Sequence, residues 1–172
     1  MTDIEVLECL SKFLKNNVSN KIKLEKPPAN KKVQEEYELV HPAVYTGWLP
    51  PKNFLESYGY DVPGIIIMID QGVDDESADL NIRIKFVTYD PGETQDDGEL
   101  TPNAKGYKDL LNLITKTRIE LSQNPIIFEK VSVNKPIKWS MDTEQNYPYW
   151  SADMGFNVSI APLAFNIKEN FL

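Results

Sequence analysis

Cysteine and histidine are almost absent: Cys9 and His41 are the only ones in 172 residues. One cysteine cannot close an internal disulfide, so the chain must fold without one, which suits a reducing compartment. Zinc sites need several Cys or His ligands, and one of each falls short. A Cys–His nucleophile pair would have to be Cys9 with His41. Cys9 falls on the apolar side of an expected helix, where a thiol is inert. His41 precedes a proline in a loop, a setting for a hydrogen-bonded structural histidine. The phosphate-cradling loops G-x-x-x-x-G-K-[ST] and G-x-G-x-x-G are missing too. No apolar run nears the ~18 residues of a membrane span. The opening MTDIEVLECL is acidic and amphipathic, whereas a signal peptide is basic and apolar. The expectation is synthesis in the cytosol, with no membrane partner, cofactor or metal.

Positive charge is scarce. Lys and Arg number 18 against 26 Asp and Glu, for a net charge of −8 and a pI near 4.7. That disfavours a wide or sequence-specific nucleic-acid footprint, which needs clustered cations. The one basic stretch, Lys21, Lys23, Lys26, Lys31 and Lys32, has no arginine and no stacking aromatics between its members. It reads as a solvated strand face or a contact with an acidic protein.

What is present suits a folded domain. Hydrophobic content is 41% and charged content 26%, both ordinary for a globular chain. The length fits a single domain over 1–172, with a Pro-rich loop at 40–61 and a short C-terminal tail at 163–172. Thr2 and Glu5 form a capping-box pattern, and Ile4, Leu7, Leu10 or Ser11, and Leu14 make a helical stripe widened by Cys9 and Phe13. Ile22 and Leu24 suggest a short strand. Residues 26–38 read as a loop, and LVHPAVYTGWLPPK as an extended, aromatic-anchored one, since its prolines forbid a central strand.

From Val62 the pattern sharpens. PGIIIMID fits a strand buried on both faces. LNIRIKFVTYD alternates, with Leu80, Ile82, Ile84 and Phe86 inward and Asn81, Arg83 and Lys85 outward, giving a hairpin with a long polar loop. Thr101-Pro102 looks like an N-cap and first-turn proline of a second helix reaching about Ser122. On or beside its inner face would lie Ala104, Tyr107, Leu110, Leu111, Ile114, Arg118 and Leu121. IIFEKVSV and PIKWSM are candidate strands. In WSADMGFNVSIAPL, Trp150, Ala152, Met154, Phe156, Val158 and Ile160 form a core row opposite a wet one. The tail AFNIKENFL spaces Phe165, Ile167, Phe171 and Leu172 for docking. The sum is an α+β fold, a mostly antiparallel β-sheet with two main helices packed on one face.

Two acidic groups stand out: Asp70, Asp74, Asp75, Glu76 and Asp79, then Asp90, Glu93, Asp96, Asp97 and Glu99. Neither has the spacing of a calcium loop, and no convincing sugar platform accompanies a carboxylate pair. They read as solvated loop tips or as a protein contact, where acids set specificity. DTEQNYPYWS sets Tyr147, Tyr149 and Trp150 at the mouth of the last strand, either sealing the sheet or anchoring an interface. The candidate interface is Asp74, Asp75, Glu76, Asp96, Asp97, Tyr147, Tyr149 and Trp150, with no catalytic residue.

VPGIIIMIDQGVDDE, LNIRIKFVTYDPGE, GYKDLLNLITKTRIEL and PIKWSMDTEQNYPYWSADMGFNVSIAPL, in that order, resemble the tail terminator proteins of tailed bacteriophages and phage-tail-like particles. The likeness spans about 63–163. It implies a small α/β domain whose copies, typically six, form a ring on the tail tube. The ring ends tube polymerisation and presents a docking surface to the head connector or, in a contractile tail, to the sheath end. The implied partners are further copies of the chain, the tail tube protein, head connector or neck proteins and the tail sheath. The implied location is the virion or tail particle, assembled in the host cytoplasm. The family carries no catalytic residues. The Pro-rich 40–52 segment and the 53–61 extension depart from a compact terminator. Six copies would carry 6 × −8 = −48 formal charges, and an acidic lumen would repel passing DNA. The alternatives are a head–tail connector or neck protein and, in another class, a small metal-dependent hydrolase using the acidic loops.

Overall fold

The computed structural model describes residues 1–28, 36–47, 62–75, 77–90, 92–94, 100–101 and 104–162. In chain order the elements are α1 (Asp3–Asn17), β1 (Leu24–Glu25), β2 (Leu39–Val40), β3 (Ala43–Thr46), β4 (Gly64–Asp74) and β5 (Ala78–Tyr89). Then come β6 (Glu93–Thr94), β7 (Leu100–Thr101), α2 (Lys105–Gln123), β8 (Ile126–Ile127), β9 (Val131–Met141) and β10 (Tyr149–Ile160).

The first helix starts as its sequence dictates. Thr2 and Glu5 complete the capping box, each side chain bonding the other's backbone N–H. The buried stripe is Val6, Leu10, Phe13 and Leu14, spaced i, i+4, i+7 and i+8. Ile4 was expected on that face but is 68% exposed. It sits two positions from Val6, about 200° around a helix of 3.6 residues per turn.

The main sheet has the order β3-β4-β5-β10-β9-β8. Every pairing is antiparallel except β3 with β4, which is parallel. Both helices cover the same face, α1 over β3 and β4 and α2 over β5, β9 and β10. Ile65 and Ile67 of β4, Leu80 to Phe86 at alternate positions of β5, and Ala152 to Ile160 at alternate positions of β10 meet them in one core. The α+β architecture with two helices on one face is therefore as the alternation implies.

Several local readings change. β2 and β3 form inside the stretch read as a loop, and β3 lies at the sheet edge, where neighbouring prolines are tolerated. The long loop of the hairpin shrinks, because β4 continues as an exposed strand to Asp74 and Asp75 N–H bonds the Ser77 carbonyl. Thr101 pairs with Glu93 in a small β6–β7 ladder instead of capping α2. The inner face of α2 includes Leu113, Thr117 and Glu120, whereas Tyr107 and Arg118 are exposed. Phe128 and Glu129 turn with positive φ between β8 and β9, so IIFEKVSV is two strands. β9 is one strand through Pro136, bulged where Gly155 and Asn157 meet it. The tail at 163–172 lies outside the described residues.

Candidate functional site

The acids do not form one group. Asp74 and Asp75 are exposed at the β4–β5 turn. Glu76, Asp96 and Asp97 lie outside the described residues. Asp70 pairs with Arg83 at 2.8 Å. Asp79 accepts from Ser77 at 3.2 Å and from Ser159.

Asp90 is the sharpest departure: it is 1% exposed, not a loop tip. Its carboxylate accepts from Gly106 N–H and Gly92 N–H, both at 2.8 Å. The α2 start has no side-chain cap of its own, since Ala104 sits at the N-cap with φ 60°. Asp90 thus satisfies a first-turn donor and places a carboxyl at the positive helix end. The approach is close enough to need glycine. A Cβ on Gly106 would lie 2.3 Å from Asp90 Cβ and 2.7 Å from Trp150 Cδ1.

The three aromatics are divided by the sheet. Successive strand residues point to opposite faces, so Trp150 goes to the helix side and meets Tyr107 at 5.5 Å between centroids. Tyr149 goes to the other side, 5.8 Å from Tyr89, which meets Tyr37 at 5.7 Å. Tyr147 is 49% exposed and lies over Gly92. Trp150 Nε1 is buried with no hydrogen-bond partner among the described residues. The acidic turn and this aromatic end sit at opposite ends of β5, roughly 35 Å apart at ~3.3 Å per residue. The expected interface residues that are described therefore fall in two patches.

The sheet face away from the helices carries features that the alternation hid. Lys85, expected on a wet row, is 6% exposed. Its ammonium lies 2.5 Å from Asp142 and 2.9 Å from Asp153. Asp142 also accepts from the Ser151 hydroxyl at 2.5 Å. Gln145 pins the β9–β10 connection by donating to the carbonyls of Asp142 (2.9 Å) and Ser151 (3.0 Å) and accepting from Ser151 N–H (2.7 Å). Further along the same face, a shallow groove of about 300 Å³ opens between Lys135, Lys138, Asn81 and Asn157. Sequence reasoning missed it. The one signal was Pro136 inside a strand, which marks a bulge.

His41 and Cys9 both serve the fold. His41 Nδ1 lies 3.0 Å from the Ser19 carbonyl and 2.8 Å from the Ile22 carbonyl, holding the turn after α1. Cys9 is half-buried against the core. Among the described residues no group of three His, Cys, Asp or Glu is placed to hold a metal ion. No helix among them is long and apolar enough to cross a membrane. No family model and no curated protein matches the chain.

Proposed function

We propose that this chain is a structural assembly subunit of the tail-terminator kind. Copies of it, six by the resemblance, close a ring on the end of a tail tube, stop its growth and offer a surface to the head connector or sheath end. One observation carries the reading beyond the resemblance. Among the described residues the sheet ends in open edges on opposite flanks. β3 pairs only with Gly64–Ile67 of β4, so 68–74 has no partner strand on that side among the described residues. β8 pairs only with Val131 and Ser132, so 134–141 of β9 is open likewise. Unpaired edges template contacts with other chains, and distinct edges on two flanks suit the head-to-tail contacts that close rings.

The deciding experiment is electron microscopy of tails assembled with and without this chain. Without it, tube lengths should spread to values well above the normal one, and the purified chain added back should restore one length. Tubes of normal, uniform length in its absence would overturn the reading.

A further inference from the structure

We propose that the groove at the β9 bulge receives the acidic β4–β5 turn of a second copy of this chain. The inference rests on the ring reading above and names the contact that would build the ring.

The groove follows from two residues. Asn134 pairs with Asn157 and Lys138 with Gly155, so β9 carries extra residues across from Phe156. Pro136 has no N–H to give to the ladder, and the strand bulges there. Gly155 has no side chain, and an added Cβ would meet nothing nearer than the Ile82 carbonyl at 3.9 Å, so the face is hollow. Lys135 and Lys138 are exposed on its rim, and neither forms an ion pair among the described residues. Asn81 Nδ2 bonds Asn157 Oδ1 at 2.9 Å on the floor. A second hollow of about 200 Å³ adjoins it at Asn81 and Asn157 and is lined on its far side by Gln71, Gly72 and Val73 of β4.

The turn is the complement. Asp74 and Asp75 are exposed and have no ion pair among the described residues. Beside them Val73 is 56% exposed and lines the second hollow. Two carboxylates and a valine thus complement two ammonium groups on the rim of a hollow, none of the four charges being ion-paired among the described residues, within a chain of net charge −8. A chain cannot satisfy this pairing by itself. The turn is held by the β4–β5 ladder up to Asp74 and Ala78, and β5 and β10 separate β4 from β9 by three strand spacings, about 14 Å. The charges of the two patches sit on different strands, Lys135 and Lys138 on β9 and Asp74 and Asp75 at the end of β4, so the contact is heterologous and closes a ring or grows a filament. It puts Asp74 and Asp75 between subunits, not along the lumen.

The test uses the full chain in two charge-reversed forms, Lys135→Glu/Lys138→Glu and Asp74→Lys/Asp75→Lys. Mass is followed by sedimentation up to millimolar concentration, with circular dichroism to check folding. The wild type should associate. Each variant alone should stay at 19.7 kDa, its dissociation constant raised about tenfold or more by like charges meeting at the contact. An equimolar mixture of the two should associate again, because each variant then meets an opposite charge at both of its patches. Association of both variants to the wild-type extent would overturn this contact and leave the ring reading standing. A wild type that stays monomeric would also overturn it, while tube capping, which a tube end can template, would still be decided by the tail-length experiment.

Discussion

Tyr89 shows how one side chain ties the aromatic end to pH. It is 5% exposed, and burial is the main reason its phenol is held well above the usual value of 10.0, with the Tyr37 phenol adding to the shift. A raised value in the folded state means the native protein keeps a proton that the unfolded chain gives up. The stabilisation is complete below pH 10 and is lost as pH rises beyond it. Urea midpoints should therefore fall as pH climbs above about 10, and Tyr89→Phe should flatten that fall. An unchanged alkaline slope in the variant would show that other groups set it. Glu120 works at the other end of the scale. Lys116, bonded to it at 2.7 Å, is the main cause holding its carboxyl below the ordinary range, and Lys21 adds to this. Its contribution is present above the unfolded carboxylate value and is lost as pH falls through the folded one.

At the level of elements, β5 and β10 depend on a buried charge. Lys85 on β5 reaches Asp142 at the end of β9 and Asp153 on β10, tying three neighbouring strands. Asp142 is as buried as Lys85, each side chain being 7% exposed. Lys85→Met removes the ammonium that lies between two carboxylates, and breaking a buried pair costs about 3–5 kcal/mol. The cost should appear as a large drop in urea midpoint, and Lys85→Met with Asp142→Asn should recover part of it. Equal losses in the single and double variants would mean that the pair is not coupled. This network also marks how far the sequence could be read. The core rows of β5 and β10 were legible because period-2 alternation is a local signal. Lys85 sat on the polar row of that pattern, and its partners lie 57 and 68 residues away. The α2 start was misread for the same reason. Thr101-Pro102 matches a cap in isolation, but the carboxylate that serves the first turn comes from Asp90, 16 residues before Gly106. The parallel β3–β4 pairing has no sequence signature at all, since a few residues beside proline look like any loop. Of the candidate site, the acids and tyrosines were legible as residues, but not their separation to two ends and two faces.

At the scale of the whole molecule, two electrostatic effects of opposite sign compete. Each copy carries −8, so copies repel one another at long range, while in the proposed contact the lysines of the β9 groove would attract the aspartates of the β4–β5 turn. Salt separates the two by distance. The screening length is about 30 Å at 0.01 M, about 8 Å at 0.15 M and about 3 Å at 1 M. Raising salt from 0.01 M to 0.15 M removes most of the body-to-body repulsion and leaves close ion pairs largely intact. Going on toward 1 M screens the pairs as well. Self-association measured by sedimentation should therefore strengthen and then weaken across this range, with its maximum at intermediate salt. A steady rise to 1 M would mean that the contact is held by apolar burial, with Val73 its main feature and the charges incidental. A steady fall from the lowest salt would mean that local pairing outweighs net charge at every distance, and that the acidity of the chain does not govern how its copies meet.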